Sequence, residues 1–125
     1  MKYLNDLYRI LSKEIVDTTI RYDIQLDVNH IIYQAHFPGE PITPGVCIIQ
    51  IAKELLEDYL GQKLCIQSIK NVKFLNVISP IEMSKITYVL DKIVTDDVLK
   101  ATKVMIQICS DGVPLAKLSF TCKHQ

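Results

Sequence analysis

The first clear pattern along the chain is an alternation of apolar and polar side chains before residue 28. Apolar residues occupy every second position, namely Ile20, Tyr22, Ile24 and Leu26. A period of two places these side chains on one face of an extended chain, which predicts a half-buried β-strand. Residues 8–16 give a weaker strand prediction, residues 1–7 a short helical turn, and Asp17-Thr18 a hairpin turn.

The period changes to that of a helix after residue 44. Apolar residues then recur at intervals of three or four, at Val46, Ile49, Ala52, Leu55, Leu56 and Leu60. This spacing predicts one amphipathic helix of about 16 residues. Pro44 suits its start because the first turn needs no N–H there. Thr43 is placed to cap the helix, and Gly61 to end it.

The remainder of the chain is predicted as four strands, over residues 64–77, 85–94, 99–110 and 116–124. Asp111-Gly112 is a strong hairpin turn signal between the last two. A single amphipathic helix without a second helix to pack on has to be covered by the sheet. The 125 residues therefore predict one domain of the α+β class, a curved antiparallel sheet around one central helix.

Charge and composition narrow the classes of partner. The 14 basic residues balance the 14 acidic ones, so the chain lacks the positive surface that nonspecific binding to nucleic acid or to an anionic membrane needs. No apolar run approaches the ~20 residues of a membrane span. The four cysteines form no CxxC pair and no zinc spacing, so we expect no metal, no cofactor and a reduced, cytoplasmic location.

The segment before the helix carries the chemistry. It reads His36-Phe37-Pro38-Gly39, then Pro41-Ile42, then Pro44-Gly45-Val46, and it closely resembles the β-hydroxyacyl-acyl-carrier-protein dehydratase family. Residues 29–33 and 70–74 extend the resemblance on both sides. The resemblance implies the hot-dog fold, in which a sheet wraps a long helix, and an assembly of dimers. It also implies a 3-hydroxyacyl thioester substrate on the phosphopantetheine arm of acyl carrier protein.

The resemblance assigns His36 as the base that removes the proton α to the thioester carbonyl, and Gly45 as a donor to the carbonyl oxygen. Imidazole titrates near neutrality and can take and return a proton. N–H groups at a helix start stabilise the negative charge that builds on that oxygen. Phe37, Val46 and Tyr33 are the residues expected to contact the acyl chain.

The sequence departs from the family at the helix acid. The family has Glu or Asp fourteen residues after the His, where this chain has Gln50, and often Gln one turn later, where this chain has Glu54. Gln cannot deliver a proton to a leaving hydroxide. Gln50 can orient the β-hydroxyl or a water while Glu54 or solvent supplies the proton. A second departure is Ala35, where the family usually has Gly; Ala is strained there if that position needs a positive φ.

Other functions stay open at this level. The chain could be a non-catalytic module that binds acyl chains or the carrier protein, or one half of a heterodimer whose partner brings the acid. It could also be an acyl thioesterase with Glu54 as its carboxylate, since the fold hosts several chemistries. Cys47, in the first turn of the helix, is a further candidate nucleophile. A homodimer or a higher assembly of dimers is the expected oligomer.

Overall fold

The computed structural model describes residues 6–35 and 39–125. Its strands are β1 (Tyr8–Val16), β2 (Thr19–Leu26), β3 (Leu64–Phe74), β4 (Lys85–Asp96), β5 (Ala101–Ser110) and β6 (Val113–His124), and its helices are α1 (Ile32–Ala35) and α2 (Gly45–Leu60). The predicted order of two strands, a long helix and four strands is confirmed. The helical turn predicted for residues 1–7 falls largely outside the described residues.

The six strands form one antiparallel sheet in the order β1-β2-β4-β5-β6-β3. Register shifts interrupt several of the pairings, as between Asp91 and Val94 of β4, where Lys92 has a φ of 48°. Such irregularities increase local twist and bend a sheet. They let the sheet curve. By the strand order, β1 and β3 are its two edges.

Helix α2 packs its apolar side on the concave side of this sheet. Its buried residues are Cys47, Ile48, Ile51, Ala52, Leu55 and Leu56, and they share one core with the buried side chains of β2, β4, β5 and β6. Tyr88 of β4 is fully buried, and its hydroxyl donates to the carbonyl oxygen of Ile48 at 3.0 Å. Because a buried hydroxyl needs a partner, this bond fixes the helix against the centre of the sheet.

The start of α2 differs from the prediction, whereas its end agrees. Pro44 is the N-cap residue, and no side chain caps the helix. The capping role predicted for Thr43 is wrong, because its buried hydroxyl instead pairs with that of Tyr33 at 2.9 Å. Gly61 ends the helix at a φ of 65° and donates its N–H to Glu57.

Two local features were not predicted. Residues Ile32–Ala35 form the short helix α1. Ala35 is therefore helical and is not among the non-glycine residues with positive φ, so the strain considered for it does not arise. Strand β3 ends at Phe74 rather than at residue 77, since the N–H groups of Leu75 and Asn76 both turn to the carbonyl oxygen of Leu115.

Candidate active site

The first turn of α2 presents backbone N–H donors for which the described residues supply no acceptor. The N–H groups of Cys47 and Ile48 both reach the carbonyl oxygen of Pro44. The N–H groups of Gly45 and Val46 precede them and have no intrahelical partner, as is general for a helix start, and no side chain caps the helix. Two donors at the positive end of a helix are suited to an oxygen that gains negative charge.

An apolar groove of about 310 Å³ adjoins this helix start. It is lined by Ile42, Thr43, Gly45, Ile48 and the segment from Phe74 to Ile78. The N–H of Thr43 donates to the carbonyl oxygen of Ile78 at 2.8 Å, which ties the loop before α2 to the segment after β3. The groove is near the lower end of the size range of small-molecule pockets.

The ring of Phe74 lies directly against Gly45. A Cβ added to Gly45 would stand 2.9 Å from the Cζ atom of Phe74, which is closer than two carbon atoms approach without strain. The absence of a side chain at residue 45 is what lets the ring sit there. Phe74 is itself 48% exposed, so its ring forms part of the outer wall of the groove.

Gln50 and Glu54 lie further along α2, one helical turn from each other, and their side chains form a hydrogen bond. The Nε2 atom of Gln50 donates to one carboxylate oxygen of Glu54 at 3.0 Å. The other oxygen of Glu54 accepts the hydroxyl of Tyr8, on β1, at 2.8 Å. Burial, and then the bond to Glu54, raise the pKa of the Tyr8 hydroxyl, which keeps it protonated as a donor. The predicted pair is therefore joined by a third residue.

Gln50 and Glu54 line a second, polar groove of about 570 Å³ that runs along α2 to its C-terminal end. Lys53 does not pair with Glu54; it lies 3.4 Å from a carboxylate oxygen of Glu57. No described residue lines both grooves. Gly45 and Gln50 are five positions apart, which on a helix separates them by about 7.5 Å along the axis and about 140° around it.

The other predicted site residues have different surroundings. Tyr33 is buried in the core, and burial raises its pKa to about 12. Val46 is 65% exposed and lines neither groove. His36 and Phe37 lie outside the described residues. The structure thus joins Gln50 to Glu54 and places Gly45 in the apolar groove.

Cys47 has the surroundings of a core residue. It is 1% exposed, and burial raises the pKa of its thiol. The thiolate, which is the reactive form of cysteine, is therefore disfavoured in spite of the helix start. This argues against the nucleophilic role considered for Cys47.

The cysteines should differ in reactivity for this reason. At mildly alkaline pH we expect iodoacetamide to modify the exposed Cys65 first, and Cys47 only when the protein is denatured, because a raised pKa lowers the thiolate fraction at any pH below it. Peptide mass spectrometry of a time course measures both rates. Modification of native Cys47 as fast as Cys65 would show an activated thiol and revive the nucleophile hypothesis.

Tyr8 and Phe74 are the site residues that sequence reasoning missed. Tyr8 is separated from Glu54 by 46 positions, and Phe74 from Gly45 by a whole strand and helix. Neither contact leaves a local signal in the sequence. Phe74 did belong to a segment that resembles the family, but nothing there indicated that its ring faces Gly45.

The described parts of the chain contain neither a metal-binding cluster nor a membrane-spanning helix. Within residues 6–35 and 39–125, no three His, Cys, Asp or Glu side chains are grouped so that they could hold a metal ion. No helix in the same ranges is long and apolar enough to cross a membrane.

Relatives of known activity resemble the chain in sequence. The 3-hydroxyacyl-[acyl-carrier-protein] dehydratase FabZ of Lactiplantibacillus plantarum is 31% identical over 98 residues, which cover 69% of this chain and 67% of the relative. FabZ of Fusobacterium nucleatum is 28% identical and covers 90% of this chain and 81% of the relative. FabZ of Clostridium acetobutylicum is 33% identical, and the match spans about half of each protein, 52% and 51%.

Solved structures agree with the fold. A chain of the dehydratase heterocomplex ApeI:P from Xenorhabdus doucetiae matches with a TM-score of 0.73 at 17% identity, covering 92% of this chain and 96% of that one. A hypothetical thioesterase protein from Streptococcus pneumoniae, solved with coenzyme A, matches with a TM-score of 0.64 at 13% identity, covering 94% and 85%. These similarities confirm the hot-dog fold.

The family of the chain follows from a match in sequence. The ApeI-like family, whose description is ApeI dehydratase, matches residues 12–112 of the 125. This range contains the motif from His36 to Val46, both members of the Gln50–Glu54 pair, and the whole of α2. The resemblance to hot-dog dehydratases is confirmed, and the chain belongs to the ApeI-like dehydratase family.

Proposed function

We propose that the protein is a dehydratase-like enzyme of acyl-chain biosynthesis that acts on 3-hydroxyacyl thioesters carried by acyl carrier protein. The observation that carries the proposal is the start of α2, where no side chain caps the helix and Gly45 lines an apolar groove. The family and the activity of the FabZ relatives support the same chemistry.

The helix start would hold the thioester oxygen. Removal of the α proton moves negative charge onto that oxygen, and preorganised N–H donors stabilise it. His36 is the base proposed for this step on the strength of the motif. Phe37 is proposed to contact the acyl chain near it, and the apolar groove beside Gly45 to receive the acyl chain itself.

Gln50 would act on the β-hydroxyl group. Its Nε2 atom is bound to Glu54, so its Oε1 atom is the end that can accept a hydrogen bond from that hydroxyl. Since an amide delivers no proton, we assign the proton for the departing hydroxide to a water in the open polar groove; the proton that His36 takes from the α carbon then restores that water, so that one water molecule is lost in all. Glu54 holds Gln50 in this scheme rather than serving as the acid.

A second subunit would complete the site. Within one chain, the helix start and the Gln50–Glu54 pair border separate grooves that share no described lining residue. A dimer in which each partner supplies one part is consistent with this geometry. The partner is a second copy, or a dehydratase that carries the acid, as the heterocomplex of the similar Xenorhabdus structure suggests.

A cytoplasmic location stays a prediction.

A direct assay tests the proposal. The protein is mixed with 3-hydroxybutyryl and 3-hydroxydecanoyl thioesters of acyl carrier protein, and enoyl thioester formation and free thiol release are both followed. We expect enoyl product without thiol release, and hydration of the enoyl thioester in reverse. Thiol release without enoyl product would favour the thioesterase alternative. Turnover that appears only when a second dehydratase subunit is added would favour the heterodimer.

A further inference from the structure

Tyr8 bonds to a group that the proposed function uses. It is the first residue of β1, and its hydroxyl donates to Glu54 at 2.8 Å. The other carboxylate oxygen of Glu54 accepts a hydrogen bond from the Nε2 atom of Gln50 at 3.0 Å. A strand from the N-terminal part of the chain is thus connected, through one carboxylate, to the residue that stands where the family has its acid.

This three-residue network fixes which way the Gln50 amide points. A carboxylate accepts hydrogen bonds at both oxygens, whereas an amide has one donor end and one acceptor end. Because a carboxylate only accepts, the end of the amide that faces Glu54 is the Nε2 end, and the bond from Tyr8 to the other oxygen holds the carboxylate in place. None of residues 6–35 and 39–125 donates to the Oε1 end, which can accept a hydrogen bond from a ligand.

The Tyr8 hydroxyl, which donates to Glu54 in this network, is kept in its protonated form. Tyr8 is partly buried, and its pKa is raised by burial first and by Glu54 second. The hydroxyl therefore remains a donor across the pH range in which an enzyme of this kind is assayed. Without it, one oxygen of Glu54 would lose its protein partner, and the carboxylate could rotate and release Gln50.

We propose that Tyr8 is a positioning residue of the site, which holds Glu54 so that Gln50 presents its Oε1 atom to the β-hydroxyl of the substrate. The inference rests on the proposed function and adds to it a residue from outside the motif and the helix. Tyr8 need not touch the substrate to act in this way.

Tyr8→Phe tests the inference, and the chain offers a matched control. Tyr22 on β2 also donates its hydroxyl to a helix carboxylate, that of Asp58, at 2.6 Å, but Asp58 does not bond to Gln50. Both substitutions remove one hydroxyl and keep the ring. We expect Tyr8→Phe to lower kcat about tenfold with KM within twofold, as the loss of a bond to a charged group predicts, and Tyr22→Phe to leave kcat within twofold.

A binding readout separates this inference from the proposed function. The side-chain amide signals of Gln50 are followed by NMR during titration with 3-hydroxybutyryl-N-acetylcysteamine. In the wild-type protein and in Tyr22→Phe we expect these signals to shift. In Tyr8→Phe we expect the free amide to be more mobile and the shift to be lost.

Each outcome is decisive. Unchanged Gln50 signals in Tyr8→Phe, or an unchanged kcat in an active protein, would overturn the positioning role. An equal loss of kcat in Tyr22→Phe would show that the effect is structural, and would overturn it too. If the wild-type protein binds the probe through Gln50 and Tyr8→Phe does not, while neither forms enoyl product, then the positioning role stands and dehydration is wrong.

Discussion

Replacing Gln50 with glutamate is expected to raise the rate of dehydration by about 10²-fold. The substitution supplies a carboxylic acid where the family has one, and a positioned general acid typically contributes 10²–10⁴-fold. Glu is close to Gln in size and shape, and while it is protonated it keeps a donor toward Glu54. The rate of enoyl thioester formation from 3-hydroxybutyryl-acyl carrier protein measures the gain.

The double substitution Gln50→Glu with Glu54→Gln sharpens this test. It restores the order of the two groups found in the family and keeps the net charge of the wild-type protein. In the single variant two carboxylates face each other one turn apart, and like charges raise the pKa of one of them. The single variant should therefore keep its acid form, and its activity, to a higher pH than the double variant.

Gln62→Glu is the control for added charge. Gln62 lines the same polar groove just beyond the end of α2, so the substitution changes the field of the groove without placing an acid at residue 50. It should leave the rate within twofold of that of the wild type. A gain in Gln62→Glu as large as in Gln50→Glu would attribute the effect to charge alone and contradict the role of Gln50.

Removing the base should have the opposite effect. We expect His36→Ala to lower kcat/KM by about 10²–10⁴-fold, the range for loss of a general base, with little effect on the unfolding temperature. The wild-type rate should also fall as the pH is lowered, since protonated imidazole cannot accept the α proton. Measurement of kcat/KM against pH in both proteins checks the two expectations together.

A second histidine provides the control. His124 ends β6, its Nε2 atom bonds to the hydroxyl of Thr102 at 2.7 Å, and it lines neither groove. His124→Ala should retain wild-type kcat/KM. If His36→Ala instead keeps full activity, the base is another group and the motif has a structural role in this chain.

The sequence predicted most of the fold because its patterns are local. The period of two in β2 and the helical period of α2 each follow from which neighbours share one face. Gly61 was recognisable as the end of α2 because few other residues adopt a positive φ at low cost. The wrapped helix followed because only a sheet could cover a lone amphipathic helix.

The prediction from local pattern failed at Thr43, whose hydroxyl could pair either with the start of α2 or with the hydroxyl of Tyr33. Thr43 stands where a capping residue belongs, but Tyr33 is buried beside it, and a buried hydroxyl left without a partner costs more than an uncapped helix start gains from a cap. Within the part of the chain that the structure describes, no group accepts from the first N–H groups of α2, which is the property that the proposed chemistry needs.

The sequence alone therefore determined the fold, the motif and the exchange of Gln and Glu on the helix, since all three follow from residue identities and short spacings. Only the tertiary structure decided what the two exchanged residues contact. It brought Tyr8 from the edge of the sheet to Glu54, joined Glu54 to Gln50, and laid Phe74 against Gly45. Contacts between residues tens of positions apart depend on how the sheet curves around α2, and no local pattern in the chain encodes that curvature.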